Sequence, residues 1–147
     1  MSRSSHPAAP DLSDWLLSRG IDGTAREELL NGYCDKLLEI GLPLYRLHVA
    51  QRALHPRFGG IAFEWLRGES GVSQQHFAHQ TTPRREWLQS PLYEIIHSGV
   101  EELRERLTDP GHQSRYPLVN ELRARGATDY FATGLVFEKS AGNADFD

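Results

Sequence analysis

The sequence predicts an α+β fold in which helices pack on an antiparallel sheet. Three stretches carry that expectation. Pro117–Gly126 reads as a helix that runs without a linker into an apolar strand over Ala127–Phe137. Leu44–Leu54 and Gly60–Arg67 each alternate apolar and polar side chains, the period of a half-buried strand. Leu29, Leu30, Tyr33, Cys34, Leu37 and Leu38 fall on one broad stripe at helical spacing, wide enough to cover a sheet and meet another helix.

Taken in order, Met1–Pro10 is rich in Ser, Ala and Pro without a hydrophobic core, so it is expected to be a disordered lead-in and not a signal peptide. One folded domain is expected over 11–147. Asp11 is placed to cap a short helix carrying Leu12, Trp15 and Leu16 that stops at Gly20. Thr24-Ala-Arg-Glu27 has the form of a capping box for the next helix, in which the Thr and Glu side chains meet orphan N–H groups. Gly41 and then Pro43 end that helix, as a left-handed stop followed by a breaker should.

In the first alternating run Tyr45, Leu47 and Val49 point one way, and Arg46, His48, Ala50 and Arg52 the other. In the second, Ile61, Phe63 and Trp65 oppose Ala62, Glu64 and Leu66. With His55-Pro56 and Gly59-Gly60 between them, the two read as an antiparallel pair with one apolar face. Gln74–His79 is a weak third strand at an edge. Thr82-Pro83 and Ser90-Pro91 are cap-plus-proline helix starts, and Gly99 ends the second of these helices. Val100–Leu107 fits either a helix or a strand edge. Pro117 suits the first turn of a helix whose stop is Gly126. The strand after it is apolar on both faces, so it is expected to be central and buried on both sides.

The chain has 147 residues, 39% of them apolar and 24% charged, the composition of a globular domain. The net charge is −4, which gives nucleic acid no general electrostatic reason to bind. Cys34 is the single cysteine, so an internal disulfide is impossible and a reducing, cytoplasmic compartment is expected. No apolar run approaches the roughly 20 residues that span a bilayer, and no membrane association is expected.

SPLYEIIHSGVEELRERL and PLVNELRARGATDYFATGLVF resemble the second half of a GAF-like sensor domain, in which a helix ends in Ser-Gly before an extended edge and a leader helix passes through glycine into a strand. The run from LPLYRLHVAQRALHP through FEWLRGE to ELRARGATDYF is similar, more narrowly, to the N-terminal regulatory region of some bacterial class III adenylate/guanylate cyclases. The resemblance covers roughly Asp11 to Phe137. It implies a GAF/PAS-like antiparallel sheet with helices on both sides, whose C-terminal strand and helix are expected to be missing after Phe137. It further implies a sensory, regulatory or dimerisation module that is not itself catalytic. Its partners would be a small-molecule ligand, a second copy in a homodimer, and a cyclase catalytic domain in the same polypeptide or complex. The Asn-Lys-Phe-Asp-Glu signature of cyclic-nucleotide-binding GAF domains is absent, so cyclic-nucleotide binding is not implied. The alternative is a free-standing GAF/PAS-type ligand-binding or interaction protein.

The residues themselves offer one candidate ligand site, the polar strand face of Arg46, His48, Arg52 and Glu64. Covered by helices 82–98 it becomes a cavity with convergent polar groups; facing solvent it is only a charged sheet surface. His76-x-x-His79 is not read as a metal site, because residues three apart on a strand face opposite sides. No cofactor and no catalytic residue are expected: His48 and His55 lack a nucleophile at a useful spacing, and Cys34 reads as a small packing residue.

Overall fold

A computed structural model describes residues 9–55, 57–79, 82 and 84–135. Among them are five helices and two antiparallel sheets, an α+β arrangement that divides into two compact units, Met1–Thr81 and Thr82–Asp147. No helix of the described residues is long and apolar enough to cross a membrane.

The first unit holds α1 (Ala9–Ile21), α2 (Arg26–Glu39) and a sheet ordered β1 (Arg46–His55), β2 (Phe58–Leu66), β3 (Val72–Phe77). α1 begins two residues ahead of Asp11 and runs past Gly20. Asp11 therefore sits in the first turn, where its charge favours the helix N-terminus, and is not the cap. The stop is Gly23, at φ 74°. The Gly23 N–H bonds the Gly20 carbonyl and the Thr24 N–H bonds the Arg19 carbonyl, the paired bonds of a Schellman motif. That motif takes the backbone of Thr24, so the expected capping box does not form. Ala25 becomes the N-cap of α2, with no side-chain cap bond. α2 closes as expected at Gly41, with Leu42 N–H bonded to the Leu37 carbonyl. It packs against α1, where Gly32 leaves room for the Trp15 ring, and against β2 and β3.

β1 and β2 pair antiparallel, with Leu47 opposite Trp65, His48 opposite Glu64 and Val49 opposite Phe63. Ile61, Phe63 and Trp65, which the alternation gathers on one face, are buried. β3 is an edge strand, as expected. It begins at Val72, ahead of the expected Gln74.

The second unit holds α3 (Arg85–Leu88), α4 (Pro91–Ser98), β4 (Glu102–Arg106), α5 (Pro117–Ala124) and β5 (Asp129–Thr133). α3 starts from Arg84 without a side-chain cap; the expected Thr82-Pro83 start involves Pro83, outside the described residues. α4 forms as its sequence dictates. Ser90 Oγ accepts the Tyr93 N–H at 3.1 Å, Pro91 fills the first turn and Gly99 closes the end. Pro117 opens α5. Gly126, at φ 102°, closes it while Ala127 N–H bonds the Leu122 carbonyl at 3.0 Å. The ambiguous Val100–Leu107 run is the strand β4. Leu107, Tyr116 and Val119 form the unit's core, with Leu103, Ala127 and Tyr130 packed around them.

The last strand differs from expectation. β5 has one partner among the described residues, β4, in a two-stranded sheet of its own, and so is not the centre of a single larger sheet. Only one of its faces is covered. Ala132 is buried and Tyr130 packs on the core, but Phe131 is 57% exposed and Leu135 79%. Apolar residues on both faces do not by themselves bury both; that takes a second layer, and Phe131 lies opposite Arg104 on the outward face. Val136, Phe137 and the Gly142-Asn143 turn lie outside the described residues.

Val119 has no exposed surface. Val119→Ala removes two methyl groups from the core of the second unit, and its thermal unfolding should show a loss of about 2 kcal/mol.

Candidate functional site

The hairpin register brings three of the four expected site residues together. His48 lies directly opposite Glu64, and Arg46 is one same-face step along β1. Arg46 reaches diagonally to the carboxylate, with Nε 2.6 Å and Nη2 2.5 Å from Glu64 Oε2. Both side chains are mostly withdrawn from water, at 17% and 28% exposure. β3 adds Gln75, opposite Ala62. Arg46, His48, Ala62, Phe63, Glu64 and Gln75 line a recess of about 90 Å³. Arg52, the fourth expected residue, lies further along β1 opposite Gly60; it is exposed and does not line the recess.

Electrostatics in the recess favour a neutral imidazole. Burial pushes His48 below its ordinary value of 6.5 and the Arg46 charge adds to this, while Glu64 opposes both. The recess is therefore a neutralised pair beside an uncharged ring: it offers donors and acceptors, with little net charge.

Cys34 is fully buried in α2, and burial, helped by the neighbouring Asp35, pushes its thiol up to about 11. It sits as the small packing residue expected of it. Among the described residues no three His, Cys, Asp or Glu side chains are grouped to hold a metal ion.

The second unit contains a polar cluster that sequence reasoning missed. Glu105, on β4, accepts from two donors: Ser114 Oγ at 2.8 Å to Oε1, and His112 Nε2 at 2.9 Å to Oε2. Ser114 is buried. Its hydroxyl also accepts the Tyr116 N–H at 3.1 Å, so its single proton goes to Glu105. Asn120 grips the backbone of Ser114 from both sides, Oδ1 accepting the N–H at 2.9 Å and Nδ2 donating to the carbonyl at 2.8 Å. One signal was present in the chain. Leu103, Glu105 and Leu107 share a strand face, and a carboxylate on an otherwise apolar face must find donors.

Two further ion pairs dress this unit. Tyr116 donates its hydroxyl to Glu94 on α4, and Arg115 contacts both the Glu94 carboxylate and the Tyr116 hydroxyl. The tyrosine bond first, and the arginine after it, hold the Glu94 carboxyl below its usual range, while burial and then Glu94 raise Tyr116. Arg104 grips Asp129 across β4 and β5 with bonds of 3.2 and 2.7 Å. That pair is exposed, so solvent screens most of its attraction.

Arg46→Met should leave the Glu64 carboxylate half-buried without its partner. Denaturant titration should report a loss of about 2 kcal/mol, partly recovered when Glu64→Leu is added. A second expectation concerns pH. The folded state holds His48 below its ordinary value, so the unfolded chain binds more protons as pH falls from neutrality. This contribution to stability is intact above about pH 6.5 and is lost as pH drops through the depressed value. His48→Gln should therefore flatten the fall in unfolding free energy between about pH 7 and about pH 5, measured against the parent protein in the same buffers.

Compared with models of protein families, with curated proteins and with solved structures, the chain matches none.

Proposed function

We propose that the chain is a non-catalytic sensory or regulatory module of a bacterial nucleotide-cyclase signalling protein, with a GAF/PAS-like fold and a ligand contact on the polar face of β1 and β2. The observation that carries the ligand part is the convergence of Arg46, His48, Glu64 and Gln75 on one recess. Its volume of about 90 Å³ is well below the roughly 300–1,000 Å³ of whole small-molecule sites. Such a recess takes one polar group of a ligand, not a whole nucleotide. Arg52, on the same strand face, would meet the part of the ligand that remains outside.

The cyclase parentage is supported by the sequence runs LPLYRLHVAQRALHP, FEWLRGE and ELRARGATDYF. Pairing of two copies is supported by β5, which has one strand neighbour among the described residues and exposes Phe131, with Leu135 exposed just beyond it; an open edge with apolar side chains favours association. The cyclase catalytic domain would be a further partner, in the same polypeptide or in a complex.

Cyclisation of a nucleoside triphosphate needs carboxylates that hold metal ions beside the nucleotide. Purified chain incubated with ATP or GTP and Mg²⁺ or Mn²⁺ should form no cyclic nucleotide; clear turnover would contradict the non-catalytic reading. Sequencing the DNA beyond the codon for Asp147 tests the parentage separately. An in-frame cyclase domain with paired aspartates is the expected result, and an unrelated downstream domain would remove the cyclase assignment.

A further inference from the structure

The second unit carries an open cleft of about 550 Å³, within the roughly 300–1,000 Å³ of small-molecule sites. It is formed where the loop after β4 folds over α5 and the start of the last strand. Leu107, Ala124 and Ala127 supply apolar wall; His112, Arg123 and Thr128 supply the groups that decide what fits.

Arg123 is held by backbone and not by a carboxylate. Its Nε donates to the Leu107 carbonyl at 3.0 Å and its Nη2 to the Asp109 carbonyl at 3.1 Å. It makes no ion pair among the described residues, so its charge is left uncompensated at the wall of the cleft. Two carbonyl bonds fix the guanidinium, and Nη1 remains for an incoming acceptor. A fixed, unneutralised guanidinium is the group best suited to a planar carboxylate.

His112 supplies the complementary half. Its Nε2 faces Glu105, and both Glu105 oxygens are occupied by donors. A carboxylate that accepts at Oε2 requires the ring proton on Nε2. In the neutral ring Nδ1 then carries a lone pair, and it has no partner among the described residues. On a residue lining the cleft, that lone pair is an acceptor for a ligand hydroxyl. An ammonium group would need a carboxylate instead, and among the described residues no Asp or Glu lines the cleft.

We propose that this cleft binds a small hydroxy-carboxylate, its carboxylate on Arg123 and its hydroxyl donating to His112 Nδ1. The site lies wholly within the second unit and does not depend on the reading of the β1–β2 recess.

The test is an amide NMR titration of the full chain at constant ionic strength with glycolate, acetate and glycine. Glycolate should bind saturably in the millimolar range, shift the amides of Thr108, Gly111 and Thr128, and bind more tightly than acetate or glycine. Arg123→Gln should weaken glycolate about tenfold or more. Because Arg123 also holds two loop carbonyls, a second variant is needed: His112→Phe should keep acetate binding and abolish the preference for glycolate. Shifts that never saturate, or that scatter over exposed arginines elsewhere, would overturn the site. A folded Arg123→Gln protein with unchanged affinity would overturn it equally. Equal affinity of the parent protein for glycolate and acetate would overturn the role given to His112.

Discussion

A carboxylate drawn partly out of water must be met by donors, and in the second unit that demand at Glu105 sets the surrounding geometry. Glu105 lies on the β4 face that carries Leu103, beside the buried Leu107. It draws Ser114 and His112 inward from a loop that would otherwise lie at the surface. Ser114, once placed, is gripped by Asn120 from the first turns of α5 and receives the Tyr116 N–H. Tyr116 is thereby set in the core beside Val119, and Pro117 begins the helix in a position where its missing N–H costs nothing. Core, helix start and cleft wall thus follow from one half-buried charge.

The first unit meets the same demand in another way. Glu64 is answered by a cation from the adjacent strand, and the register of the hairpin brings the two together. The chemical result differs. Arg46 and Glu64 cancel, and the recess beside them is small and nearly neutral. In the second unit the two donors to Glu105 are a hydroxyl and an imidazole, and the nearby Arg123 is satisfied by carbonyls and keeps its charge. A polar recess suits a ligand with matched donors and acceptors; an uncompensated guanidinium suits an anion.

Local signals in the sequence translated well into structure. Ser90-Pro91, Gly99, Pro117 and Gly126 each act within one helical turn, and each does in the structure what its chemistry requires. The β1–β2 pair was equally legible, because alternation fixes which residues share a face and places Arg46 and His48 beside Glu64. Failures came where a second segment decided the outcome. Thr24 has the chemistry of a cap, but its backbone already serves the end of α1. Phe131 belongs to a strand rich in apolar residues, but no layer among the described residues covers its face. Glu105, His112 and Ser114 are brought together by the path of a loop, which no periodicity encodes. Only the position of a charge between Leu103 and Leu107 hinted that donors must arrive.

The most direct measurement of the Glu105 network is the tautomer of His112, read from the nitrogen chemical shifts of its imidazole above neutral pH. If Glu105 accepts from both Ser114 and His112, the ring carries its proton on Nε2, and the Nε2–H shows a coupling across the hydrogen bond or slowed exchange with water. A proton on Nδ1, or an Nε2–H that exchanges as fast as that of a free imidazole, would contradict the account.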